Sequence, residues 1–255
     1  MQVSSSRALV TGGGSGLGRT FVRELAATGA SVAFCDVDAD AVRATVDLCE
    51  ELPGKVAGFV ANVADEAQVD GLVAQAAEAL GGLDVLVNNA GIFRDALLVK
   101  RDKETGEVRT MTLQQWQQVI DVDLTGPFLC TRAFAAHCVR TGTRPAVVVN
   151  ISSLARYGNR GQSNYSAAKA GLVADTVLWA EELAPHGLRV AAIAPGFVRT
   201  PILEGMPPKV LERMLATVPL GRAAEPEELW QAVRFLLECD YVTGTCIDVG
   251  GGLKM

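Results

Sequence analysis

Histidine is scarce in this chain. There are two, His137 and His186, and none of the six cysteines forms a Cys-x-x-Cys pair. Both scarcities argue against a Cys/His metal site, and none is expected. Positive charge is in deficit too: 23 Lys and Arg face 29 Asp and Glu, for a formal net charge of −6. Such a chain lacks the electrostatic footprint of a nucleic-acid or anionic-membrane binder. No run of about 18 apolar residues appears, so no membrane span is expected. The opening MQVSSSRALVTGGG holds no apolar stretch of signal-peptide length. Low-complexity linkers and long repeats are missing as well. Cys35, Cys49, Cys130, Cys138, Cys239 and Cys246 therefore read as reduced, mostly buried small hydrophobes of a cytoplasmic protein.

What is present is a rhythm. Short apolar runs at 8–11, 32–36, 56–60, 85–88, 146–151, 189–193 and 246–249 alternate with longer segments of helical character at 19–28, 39–51, 66–80, 113–140, 166–183 and 226–238. Strands alternating with helices mean βαβ units and a parallel sheet. Runs that are apolar on both faces belong to strands covered by helices on both sides. The expectation is α/β: a single doubly wound Rossmann-like domain over 1–255, with a seven-stranded parallel sheet flanked by helices. Two segments break the pattern. Residues 97–110 (LLVKRDKETGEVRT) are polar with a turn signal at Glu104-Thr105-Gly106, and read as a small hairpin or a rim loop. Residues 195–220 carry prolines at 195, 201, 207, 208 and 219. A long excursion after a strand end is the place for a substrate lid.

The first strand runs into Thr11-Gly12-Gly13-Gly14-Ser15-Gly16-Leu17-Gly18 and then a helix. Glycines let the chain turn tightly and expose N–H groups, and the helix N-terminus favours phosphate. A tight βα connection alone would also use such a turn; its place after the first strand favours phosphate binding. Asp36 ends the second strand, where a carboxylate can accept from both ribose hydroxyls and repel a 2′-phosphate. That selects NAD. A carboxylate there also suits a helix cap. Asn88-Asn89-Ala90-Gly91 ends the fourth strand, at the sheet edge where α/β proteins bind ligands.

Tyr165-Ser166-Ala167-Ala168-Lys169 sets a phenol and an ammonium one helical turn apart. A free tyrosine titrates near 10, too high for a base at neutral pH, and a neighbouring cation lowers that value. A tuned tyrosine can take a proton from an alcohol or give one to a ketone. Ser152-Ser153 ends the fifth strand, placing a hydroxyl for the substrate oxygen.

Taken together and in order, TGGGSGLG, Asp36, NNAG, NISS, YSAAK and PGFVRT resemble the short-chain dehydrogenase/reductase family across nearly the whole chain. The resemblance implies that Tyr165 is the catalytic acid/base, that Lys169 lowers its pKa and holds the nicotinamide ribose, and that Ser153 stabilises the substrate oxygen. It implies cofactor contacts from Gly12, Gly14, Ser15, Gly16, Leu17, Gly18 and Asp36. Asn62 and Val63 would cradle the adenine, Asn89, Ala90 and Gly91 would line the cofactor, and Pro195, Gly196, Val198 and Thr200 would meet the nicotinamide. Gln162, three residues before Tyr165, is expected to be a substrate contact. Three departures stand out. Asp123 occupies a catalytic position where the family usually has Asn, adding charge near Lys169. Asn62 stands where Asp is common. The interval from NISS to Tyr165 is one residue short, so Ser152 remains an alternative to Ser153.

The pattern resembles 3-oxoacyl-carrier-protein reductases and 3-hydroxyacyl-CoA dehydrogenases most. The leading expectation is an NAD-dependent enzyme of a 3-hydroxyacyl or 3-oxoacyl thioester. Arg94, Lys100, Arg101, Arg156, Arg160 and Arg199 lie in segments able to rim the cleft and meet an anionic carrier, or are scattered solvated charges. A sugar, diol or simple secondary-alcohol dehydrogenase is the alternative; a catalytically silent NAD-binding regulator is the reading from another class. The family's habit of pairing its long helices implies a homotetramer.

Overall fold

The computed structural model describes residues 1–255, apart from the side chains of Ile202 and Glu204. The chain runs β1 (Arg7–Thr11), α1 (Gly16–Ala27), β2 (Ser31–Asp36), α2 (Ala39–Leu48), β3 (Val56–Val60), α3 (Glu66–Leu80) and β4 (Val85–Asn88). A small antiparallel hairpin follows, β5 (Val99–Arg101) with β6 (Val108–Thr110). Then come α4 (Leu113–Ile120), a π-helical turn (Asp121–Thr125), α5 (Gly126–Thr141), β7 (Ala146–Ile151), α6 (Ser163–Leu183) and β8 (Leu188–Pro195). The end is α7 (Pro201–Glu204), α8 (Pro208–Leu215), α9 (Pro226–Glu238) and β9 (Cys246–Val249).

Seven strands form one parallel sheet in the order β3-β2-β1-β4-β7-β8-β9. Alternation along each strand builds two cores. Ala8, Val10, Val32, Phe34, Val147 and Val149 face α1 and α9, joining Phe21, Leu25, Trp230 and Val233. Leu9, Ala33, Cys35, Ala146 and Val148 face α3 and α5, joining Leu72, Val73, Leu129 and Phe134. That two-sided burial is why the strands read as unbroken apolar runs. Strand order reverses between β1 and β4, and a crevice opens there beyond the carboxyl ends of the strands.

Local sequence sets the boundaries. Asp38 caps α2 by accepting from the N–H groups of Asp40 and Ala41, and Asp65 caps α3 through Gln68 N–H. Thr112 and Gln115 form a reciprocal capping box on α4. The helical segment expected over 113–140 is helical throughout, but the π-helical turn divides it. The polar segment 97–110 is the hairpin.

Candidate active site

A cleft of about 600 Å³ lies at the carboxyl ends of β1, β2, β4, β7 and β8. Its floor at one end is the glycine turn. Gly12 has φ +65°, and a Cβ there would fall 2.8 Å from Ala90 Cα. A Cβ on Gly18 would lie 2.0 Å from the Gly12 carbonyl oxygen, so only glycine lets α1 start this close to the turn. Asn89 Nδ2 donates to the carbonyls of Thr11 and Gly12 at 3.0 and 3.2 Å, and Thr11 Oγ1 accepts from the Asn89 and Ala90 N–H groups, both at 3.0 Å. These bonds stitch the β1 and β4 loops together. Ser15, the residue before α1, makes no side-chain cap bond to the first-turn N–H groups. Arg19 and Thr45, which the sequence did not single out, brace the turn from behind: Arg19 donates to Thr45 Oγ1 and to the Gly14 carbonyl, and Thr45 Oγ1 donates to the Gly13 carbonyl.

Gly12, Ser15, Gly16, Leu17 and Gly18 line the cleft, with Asp36, Asn62, Val63, Asn89, Ala90 and Gly91 beyond them. Gly14 is not on the cleft surface; its N–H donates to Asp36 Oδ2 at 3.0 Å. Asp38 N–H holds the other carboxylate oxygen at 3.2 Å, which fixes Asp36 at the rim. Asn62 Oδ1 accepts from Ala64 N–H at 3.0 Å, closing the turn after β3. Pro195, Gly196, Val198 and Thr200 line the far wall.

At the other end α6 presents Tyr165 and Lys169, 8 % and 3 % exposed. Asn164 holds the start of this helix, donating to the carbonyls of Arg94 and Gln115. Lys169 Nζ donates to the Ile151 carbonyl at 3.1 Å, sits 3.2 Å from Asp123 Oδ2, and lies 5.5 Å from the Tyr165 ring centre. Asp123 is fully buried behind Lys169 rather than on the cleft surface, and its Oδ1 accepts from Ile92 N–H at 2.8 Å. Ser152 and Ser153 differ sharply. The Ser152 hydroxyl is buried and donates to the Lys169 carbonyl at 2.9 Å. Ser153 Oγ accepts from Ala155 N–H at 3.1 Å, and Ser153 lines the cleft with Tyr165. Gln162 lines the cleft, held by Asp95 and Asn159.

The charges pull against one another. Burial pushes the Tyr165 phenol above the ordinary tyrosine range. Lys169 opposes this, as the sequence suggested, but Asp123 and Asp95 add to the upward push while the nearby Ser153 hydroxyl eases it. Burial by itself would lower the Lys169 ammonium, yet Asp123 and then Tyr165 hold it above the usual lysine value. Burial raises Asp123, against the pull of Lys169 and the Ile92 N–H.

Between these ends the wall is apolar. Phe93 lies with its ring centre 4.6 Å from that of Tyr165, and Phe197, Leu203, Met206 and Met214 join it. The sequence singled out none of these by itself: Phe197 lies within PGFVRT and Leu203, Met206 and Met214 within the expected lid, while Phe93 carries no motif. The six basic candidates for the rim do not line the cleft. Arg156 is tied to Asp248 and Tyr157, Arg199 to Glu225, and Arg94 to Gln118 and the Phe93 carbonyl. Lys100 and Arg101 stand on the exposed hairpin.

The residues fit a nicotinamide dinucleotide. Exposed N–H groups at a helix start suit the pyrophosphate, the rim carboxylate suits a ribose, and the phenol–ammonium pair stands at the far end. Comparison with known proteins agrees. The family model described as enoyl-(acyl carrier protein) reductase matches residues 12–254. The chain is similar to a 3-oxoacyl-(acyl-carrier-protein) reductase of Thermotoga maritima, at 41% identity over 99% of each chain. It is similar to a (2S)-((R)-hydroxy(phenyl)methyl)succinyl-CoA dehydrogenase subunit of Thauera aromatica, at 38% identity over 100% of this chain and 99% of that one. A (3R)-3-hydroxyacyl-CoA dehydrogenase of Rattus norvegicus is 39% identical over 100% of this chain and 98% of its own. The protein therefore belongs to the short-chain dehydrogenase/reductase family, the nicotinamide-dependent oxidoreductases that interconvert CH–OH and C=O groups.

Proposed function

We propose that the protein moves hydride between NAD(H) and a 3-hydroxyacyl or 3-oxoacyl thioester, as a cytoplasmic homotetramer. The observation that carries this reading is the pair of hydroxyls, Tyr165 and Ser153, that line the same cleft where its wall is apolar. When bound, the nicotinamide supplies or accepts hydride at the substrate carbon. Tyr165 gives a proton to the carbonyl oxygen or takes one from the alcohol. Ser153 donates to the same oxygen and holds it against the phenol. Lys169 steadies the phenol's charge and, with Tyr165, holds the nicotinamide ribose. The glycine turn and the start of α1 take the pyrophosphate, with Asn62 and Val63 at the adenine and Pro195, Gly196, Val198 and Thr200 at the nicotinamide.

The Asp36 carboxylate supports NAD over NADP, since a 2′-phosphate beside it would be repelled. Thioester substrates are supported by the relatives that act on CoA and carrier-protein esters. The apolar wall suits an acyl chain, and methionines adapt to different chains. Segment 195–220, with Leu203, Met206 and Met214, is the lid over it. Paired hydroxyls aimed at one oxygen suit a carbonyl better than an alkene. Six cysteines without a disulfide among the described residues accord with a reducing cytoplasm.

The test is reduced-cofactor absorbance with acetoacetyl-CoA, crotonyl-CoA, unactivated ketones and, in reverse, polyols. NADH oxidation confined to acetoacetyl-CoA is expected. Turnover confined to free ketones or polyols would move the protein to the alcohol or sugar branch. In Tyr165→Phe, kcat should fall about 10²–10⁴-fold, the usual contribution of general acid–base catalysis. Unchanged turnover would refute the proposed role.

A further inference from the structure

Asp123 has no place in the proton transfer just described, yet it is the most completely buried charge near the cleft, at 0 % exposure. It sits on the π-helical turn between α4 and α5, a widened turn of the kind found at functional sites. One oxygen is fixed by Ile92 N–H at 2.8 Å, and the other stands 3.2 Å from Lys169 Nζ. A Cβ on Gly91 would fall 2.8 Å from that second oxygen and 3.5 Å from Lys169 Nζ, so the carboxylate and the ammonium lie directly under the cleft surface.

We propose that Asp123 is a positioning residue for the reaction: its carboxylate anchors the Lys169 ammonium from behind the cleft and sets the charge that Tyr165 meets. This rests on the acid/base role of Tyr165 proposed above. Among the described residues, three elements bring groups to this cluster. From α6 come Tyr165 and Lys169 themselves. From β7 comes the Ile151 carbonyl, followed by the Ser153 hydroxyl. From the segment after β4 come the Ile92 N–H and the Asp95 carboxylate. Lys169 is the one cation among them. With Asp123 in place its charge is balanced, and the phenolate loses most of the stabilisation a bare ammonium would give it. The burial of the pair removes the water that would otherwise screen it. The phenol is thereby kept as a proton donor, and the site remains competent for carbonyl reduction to higher pH.

The test replaces Asp123 by Asn, which keeps an oxygen for Ile92 N–H and removes the charge. In the wild type, kcat/KM for NADH-dependent reduction of acetoacetyl-CoA should hold into the alkaline range. In Asp123→Asn its fall should come about one to two pH units lower, the size expected for one unit charge a few ångströms from a buried phenol. A lower rate with an unmoved profile, or a shift the other way, would overturn the proposal and leave Asp123 a structural residue. A second measurement needs neither turnover nor cofactor. The chain has three tyrosines, so the alkaline absorbance difference between wild type and Tyr165→Phe isolates Tyr165. It should titrate above the ordinary tyrosine range in the wild type and lower in Asp123→Asn. Titration of Tyr165 at or below the ordinary value in the wild type would overturn the proposal even if the Asn variant failed to fold. Retained turnover in Tyr165→Phe would instead sink the acid/base reading itself, so the two failures are distinct.

Discussion

At the scale of single residues, two adjacent serines show how burial assigns roles that spacing cannot. Ser152 and Ser153 follow β7, and a strand sends successive side chains to opposite faces. One hydroxyl turns inward to the Lys169 carbonyl and the other accepts from Ala155 N–H at the cleft wall that Tyr165 also lines. Ser153→Ala should therefore lower kcat about 10²–10³-fold, the scale of losing one donor to a developing oxyanion, with little change in melting temperature. Ser152→Ala should mainly cost stability, on the order of 1 kcal/mol for a buried hydrogen bond. Melting curves and steady-state rates on both variants check this; the opposite pattern would exchange the roles. Asp36 has its own test. Asp36→Ala should raise KM for NADH and bring NADPH turnover up towards it, since the repelling carboxylate is gone. An unchanged cofactor preference would remove Asp36 from the ribose. The counted interval to Tyr165 left the serine pair undecided because it fixes the distance along the chain and not the face a side chain takes.

At the scale of elements, most of the sheet was legible. Strands at 56–60, 85–88, 146–151 and 246–249 fall where the apolar runs lie, and α3 and α9 span 66–80 and 226–238 as the periodicity indicated. Strands buried on both faces and helices with clear caps announce themselves locally. The π-helical turn did not. One widened turn leaves the 3.6-residue pattern almost intact on either side, so a single segment over 113–140 was the natural reading. The resemblance placed Asp123 near Lys169, but spacing along the chain gave neither its full burial nor the Ile92 N–H that fixes it. Phe93 was hidden for a related reason, since apolar side chains signal core and not cleft. The glycine turn was legible as a motif, but its tightness is a structural fact, and it sets a third expectation. Gly18→Ala would put a Cβ 2.0 Å from the Gly12 carbonyl oxygen. The first turn of α1 must then move, at a cost on the order of 3 kcal/mol, the upper end for overpacking. Thermal melts should show a clear loss of stability, and NADH fluorescence should show weakened binding. A Gly18→Ala protein that binds NADH normally would mean that α1 does not need this approach.

At the scale of the whole molecule, α6 presents a problem that one chain does not solve. Its inner face carries Tyr165, Ala168, Lys169, Leu172 and Thr176, all buried. Its outer face carries Ala167, Ala170, Ala174, Val177 and Leu178, all exposed. Half-buried Asp175 flanks that face, and Glu181 is the first charged side chain on it. A helix that is apolar or small all round is normally buried, and an exposed apolar stripe marks an interaction surface. Alongside it, α5 exposes Phe128 and Val139 at 42 % and 47 %. Two such helices facing a second copy across a twofold axis would bury the stripe, with alanines allowing close approach. A closed symmetric assembly uses the same patch on both subunits, so one charge introduced there appears twice at the contact. Leu178→Glu should therefore split the proposed tetramer, while leaving the inner face of α6 intact. Light scattering should give four chain masses for the wild type and fewer for the variant. Any change in kcat/KM that follows the dissociation would show that the pairing also steadies the helix carrying Tyr165 and Lys169. A wild-type protein of one chain mass would rule out the tetramer and leave the apolar stripe exposed to solvent.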